Sequence, residues 1–161
     1  MNQDQLLREH LLYLLGGGGA HVDFDSVVED FPVDKVNHKI EQLPYTAWAV
    51  LEHMRIAQLD ILEFSRNAEH ISPKWPEGYW PQPGDADPGE AQWRKSVEAF
   101  RADLAAMKEL IADAKTDLFA KIPHGDGQTI LREALLVADH NAYHLGVLVT
   151  MKRILEGGDE T

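Results

Sequence analysis

The sequence predicts an all-α protein, a four-helix bundle with a long crossover loop between the second and third main helices. Three observations carry that expectation. Four stretches repeat apolar residues at intervals of three and four, the period of a helix with one buried face, and no stretch alternates as a strand would. The largest irregular run, residues 70–88, lies between the second and third of them and holds five prolines and two glycines, so it cannot be a regular element. The whole chain, 1–161, fits a single domain of a length that buries a sizeable core without staples.

Residues 2–15 open the chain as a helix, with Leu6, Leu7, Leu11, Leu14 and Leu15 at helical spacing. Four glycines at 16–19 break it. No Lys-Ser/Thr follows them and no strand precedes them, so they read as a bend between helices rather than a phosphate loop. Residues 23–31 form a short helix: Asp23 and Asp25 suit the positive end of its dipole, and Pro32 stops it. Residues 33–44 are connecting chain with at most one helical turn. His10, His21 and His38 have no partner spacing and read as surface or capping residues.

Residues 46–64 are the second long helix, with Val50, Met54, Ala57, Ile61 and Phe64 as its apolar stripe. His53 sits on the edge of that stripe, and Asp60 lies two turns further along the same side. The loop that follows carries Trp75, Tyr79 and Trp80. Two readings fit it: an aromatic wall over a site, or a stiff crossover whose aromatics cap the core. Residues 89–113 are the third helix, and Trp93, Val97, Phe100, Leu104, Met107 and Ile111 give it a clean stripe with nothing catalytic beside it. Residues 115–127 return the chain through His124, read as a turn residue.

Residues 129–156 are the last helix, from an N-cap at Thr129 to a stop at Gly157-Gly158. Leu136, Val137, Val147, Leu148, Met151 and Ile154 line one side of it, and Leu131, Ala138, Ala142, Leu145 and Val149 the other. A helix apolar almost all round is expected in the middle of a bundle. This one carries His140 and His144 on its first apolar side. Four residues apart, their rings point the same way. The pair reads either as two ligands of one divalent metal or as two hydrogen-bonded core histidines. A bundle can bring a third imidazole, His53, opposite them, because bundle metal sites are built from facing helices.

Composition narrows the chemistry. With no cysteine, any metal must be held by histidine, carboxylate or water. A formal net charge of -12 and the lack of a Lys/Arg cluster argue against nucleic acid and anionic membrane as partners. No apolar run has the length of a membrane span and no secretory signal opens the chain, so the cytoplasm is the expected location.

With these residues in place the chain resembles the DinB-like metal-binding superfamily. That family has one histidine on the second long helix and a His-x3-His pair on the last, followed by Leu-Gly. The matching residues here are Leu51-Glu52-His53 and Asp139-His140-Asn141-Ala142-Tyr143-His144-Leu145-Gly146. The segments around Trp75-Pro76-Glu77-Gly78-Tyr79-Trp80 and His124-Gly125-Asp126-Gly127 also resemble a bacterial branch of it. The resemblance implies one divalent ion, zinc or nickel, on His53, His140 and His144, and it implies homodimers. Some relatives use a low-molecular-weight thiol to transfer or isomerise a small-molecule substrate; many are described only as metal-dependent hydrolases. Where many relatives carry Gln after Leu-Gly, this chain has Val147, so that amide's role does not transfer.

Three histidines leave an open coordination position, the arrangement of a catalytic site. The expected function is metal-assisted activation of a thiol, in the manner of an S-transferase, or of water. The competing expectation is a non-catalytic bundle whose metal is structural. Asp60 and Glu133 share helical sides with the histidines. Each reads as a positioning carboxylate or general base, or as half of an ordinary salt bridge. Trp75, Tyr79 and Trp80 are the candidate substrate-binding residues.

Overall fold

The computed structural model describes residues 2–17, 19–82 and 89–157. It is all-α, with helices α1 (Gln3–Gly16), α2 (Phe24–Glu29), α3 (Ala47–Arg66), α4 (Glu90–Ala112) and α5 (Ile130–Gly157). Single 3-10 turns lie at Val33–Lys35 and Glu77–Tyr79. Short polar side chains start four of the helices. Asn2, Asp23, Thr46 and Thr129 accept from the backbone N–H three residues on, at 2.8, 2.8, 3.2 and 3.2 Å. Each such cap stabilises its helix by about 1 kcal/mol. No described helix is long and apolar enough to cross a membrane. Gly18, Gly158 and residues 83–88 of the crossover lie outside the described residues.

Helices α1, α3, α4 and α5 form a bundle. Helix α3 packs against α4 and α5, and α1 packs against the same two from the other side, so α1 and α3 are diagonal neighbours. Gln58 on α3 marks a common level: its Nε2 donates to Phe100 O at 2.8 Å, and its Oε1 accepts from Asn141 Nδ2 at 2.8 Å. Above that level Val50, Met54, Trp93, Phe100, Leu148 and Met151 share one apolar cluster. Below it Leu62, Met107, Ile111, Ala134 and Val137 share a second. Residue numbers therefore rise together along α3 and α4 and fall along α5. Helices α3 and α4 are parallel, which is why a long crossover must join them.

The centre of the bundle is α3, not α5. Thirteen of the 20 residues of α3 are buried, against ten of 28 in α5. The all-round apolar pattern of α5 misled because Leu135, Tyr143 and Ile154 are exposed along its outer face. Exposed apolar side chains are common on folded proteins, so pattern alone overstates burial.

Helix α1 is short. Its 14 residues span about 21 Å, half the about 42 Å of the 28-residue α5. Arg8, 8 % exposed, anchors it by donating to Ile111 O, to Asp113 O at 3.1 Å and to Thr116 O at 2.7 Å. Ile111 lies in the last turn of α4, where carbonyls have no intrahelical partner. Gly17, at φ +70°, then ends α1 in a conformation that suits glycine. Helix α2 takes over beyond the bend and buries Val27 and Val28. Phe24 stacks on Phe100 at 4.1 Å, and Phe31 lies on Trp93 at 4.8 Å.

Candidate metal centre

His53 lies in the second turn of α3 with its ring directed at α5. His140 and His144 lie one turn apart on the face of α5 that meets it. His53 Nε2 is 3.1 Å from His144 Nε2 and 3.1 Å from His140 Nε2. The ring centroids of the three pairs are 4.5–4.9 Å apart at interplanar angles of 58–77°. Nitrogen edges converge there, not ring faces. The ligand atoms of all three lie within 4.8 Å of one another, and no carboxylate of the described residues joins them.

The site is mostly shielded: His53 is 4 % and His144 8 % exposed, with His140 half-buried. Burial lowers all three pKa values, because a charged imidazole loses hydration. The neighbouring histidines add repulsion at His140 and His144, which are lowered to about 4. For His53 burial outweighs the opposing hydrogen bond to Tyr79. All three are therefore neutral near pH 7. His53 Nδ1 donates to Tyr79 O at 2.8 Å. That bond fixes the tautomer and leaves the Nε2 lone pair facing the other two rings. His140 Nδ1 and His144 Nδ1 are buried and find no partner among the described residues.

The crossover supplies one wall. Trp80 lies face to face on His53, with ring centroids 4.1 Å apart at 5°. Tyr45 stacks behind Trp80 at 5.2 Å. Tyr143 meets His144 edge-on at 4.8 Å. Tyr79 contributes its backbone carbonyl to His53 while its phenol points away, donating to Asp60 Oδ2 at 2.6 Å. Burial, then that hydrogen bond, pushes the phenol up to about 12, so it stays a donor. Trp75 is 72 % exposed and touches Tyr79 at 5.4 Å. The three candidate aromatics thus take three different places: Trp80 on the site, Tyr79 behind it, and Trp75 outside. Tyr45 and Tyr143 went unread in the sequence. Tyr143 had a signal in its position next to His144; Tyr45 had none, since only the fold carries it to Trp80.

Neither candidate carboxylate reaches the imidazoles. Asp60 holds His70 Nε2 at 2.7 Å as well as Tyr79, and so pins both ends of the described crossover to α3. Its link to the site runs through Tyr79 to His53. Glu133, 2 % exposed, pairs with Arg132 at 2.6 Å. His124 lies at the opposite end of α3, at 2.7 Å from Phe64 O. Val147 packs against the upper apolar cluster.

The donor set fits a divalent ion. Zn–N bonds of 2.0–2.1 Å in a tetrahedron put ligand nitrogens about 3.3 Å apart, close to the separations here. Neutral imidazoles with converging lone pairs suit zinc, nickel and their neighbours.

An all-α bundle with a histidine cluster between two facing helices is thereby defined, of a kind compatible with binding a metal ion. Residues 20–148 match the DinB superfamily, and the chain belongs to that superfamily. No curated protein and no solved structure matches it.

Proposed function

We propose that His53, His140 and His144 hold one divalent metal ion, and that the protein is an enzyme which uses it to activate a low-molecular-weight thiol against a small electrophile. The carrying observation is that the Nε2 atoms of His140 and His144 each lie 3.1 Å from that of His53, all three rings neutral, with no fourth protein ligand among the described residues. When bound, the ion would supply Lewis acidity at an open position, enough to lower the pKa of a coordinated thiol or water toward neutrality.

The protein's own residues do the rest. His53 is oriented by Tyr79 O, and Tyr79 by Asp60. Trp80 and Tyr45 shield one flank from water, and Tyr143 borders the other. This aromatic frame suits an apolar electrophile. The chain has no cysteine, so the sulfur must arrive with the co-substrate. A sulfur–carbon bond forms, the leaving group departs with its electron pair, and the thiol proton passes to solvent. The net charge of -12 disfavours nucleic acid as a partner.

The test is a screen of metal-loaded protein with glutathione, bacillithiol or mycothiol and a panel of electrophiles, run beside esters and amides. Thiol-dependent turnover that vanishes in His140→Ala supports the proposal. Turnover needing only water moves the assignment to hydrolysis. No turnover at full occupancy, with a sharp fall in melting temperature on chelation, makes the metal structural.

A further inference from the structure

On the far side of α5 from the histidines lies a cleft of about 390 Å³ that the metal reading leaves unused. It exists because α1 is short. Where α1 ends at Gly16-Gly17 and before α2 begins, no helix of the described residues covers the groove between α4 and α5. Leu14, Leu104, Ala105 and Ala142 form its apolar walls over a floor that includes Leu145, and none of the three histidines contributes. Its volume sits at the low end of the about 300–1,000 Å³ of small-molecule sites, and its lining is of the same apolar kind.

The mouth is charged, and its charges are unequal in their commitments. Arg101 is taken by Asp25 at 2.7 Å. Asp23 caps α2 through Ser26 N at 2.8 Å. Lys108 is different: it is half-buried, its ammonium lies beside Gly16, and it has no hydrogen bond or ion pair among the described residues. A half-buried cation gains most from an anion that shares its desolvated surroundings.

We propose that this cleft is a second ligand site, for a small amphipathic monoanion whose apolar body fills the interior and whose anionic head pairs with Lys108. The site is independent of the metal.

Octanoate, octanol and octylamine are the probes, titrated by calorimetry and by methyl NMR of Leu104 and Leu145. Octanoate should bind one per chain, shift those methyls, and bind about tenfold more tightly than octanol, the worth of a charge-assisted hydrogen bond. Lys108→Met should bring octanoate down to the level of octanol, and Ala105→Trp, which puts an indole at the mouth, should abolish binding of both. His53→Ala should leave octanoate binding unchanged. The proposal is overturned if the cleft methyls show no saturable shift, if octylamine binds as well as octanoate, or if Lys108→Met leaves the octanoate preference intact in a variant with an unchanged melting curve.

Discussion

The two ends of α3 are built on opposite terms. At its C-terminal end Ile61 and Leu62 meet Met107, Ile111, Leu118 and Val137 in an apolar cluster, and the buried Arg8 beside it has its hydrogen bonds made. Leu62, Met107 and Ile111 are wholly buried there. Near its N-terminal end the same helix presents a buried histidine to two more, whose Nδ1 atoms lack partners among the described residues. The first region stabilises the fold by removing apolar surface from water. The second draws on that stability, since buried polar atoms without partners are costly. Where a protein keeps such an expense, function is the usual reason.

The largest expected effect removes one region's role altogether. His144→Ala should reduce stoichiometric metal binding to none, read as metal content per chain after dialysis. Full occupancy in the His53→Ala, His144→Ala double variant would refute the assignment of the site. The counterpart is Leu62→Ala, expected to cost about 2–5 kcal/mol in denaturant unfolding while one metal per chain is retained. Loss of metal in that variant would mean the two regions are not separate.

Above the carboxylate range, acid should act chiefly on the histidine end, whereas Glu63 and Asp23, held low by Arg66 and Ser26, respond only at lower pH. The three imidazoles have folded pKa values below the unfolded value of about 6.5, with His140 and His144 at about 4. Below about 6.5 the unfolded chain takes up protons that the folded chain refuses, so stability falls as pH drops from there toward about 4 and is fully present above that window. Urea titrations of metal-free protein should show this slope, and His140→Gln, His144→Gln should flatten it. An unchanged slope would place the acid sensitivity elsewhere.

Smaller still is Asp60→Asn. It weakens the grip on Tyr79 and, through it, on His53, so metal affinity should fall by about tenfold with stoichiometry kept, measured by competition with a chelator. Equal affinity would make Asp60 a fastener of the crossover and nothing more. The smallest effect belongs to neither region: Arg94→Ala, which breaks the exposed pair with Glu90 at 2.7 Å, should change stability by under about 0.5 kcal/mol.

Much of this architecture was legible. Of the stripe Trp93, Val97, Phe100, Leu104, Met107 and Ile111, all but the half-buried Leu104 are buried as the spacing requires, because a single amphipathic face has one way to satisfy itself. Thr129 caps α5 as its side chain suggests. The spacing of His140 and His144 put two rings on one face, since that is local geometry. What was illegible is what depends on the fold closing. Nothing in the order Trp75, Tyr79, Trp80 says that the third lies on His53 and the first faces solvent. That choice is made by the turn at Glu77–Tyr79 and the bond from Tyr79 to Asp60. The centrality of α3 was missed because its buried polar residues, Glu52, Gln58 and Asp60, diluted its apolar pattern.

The two 3.1 Å contacts of His53 join residues 91 and 87 positions apart in the chain. Contacts that close loops of this size come late, because chain entropy must be spent before they give any return. His53 therefore has no partner until α5 has been made and has docked. A metal ion in solution meets at most a single imidazole or an adjacent pair on any partly formed chain. The proposed three-histidine centre is thus complete only once α3 and α5 have docked.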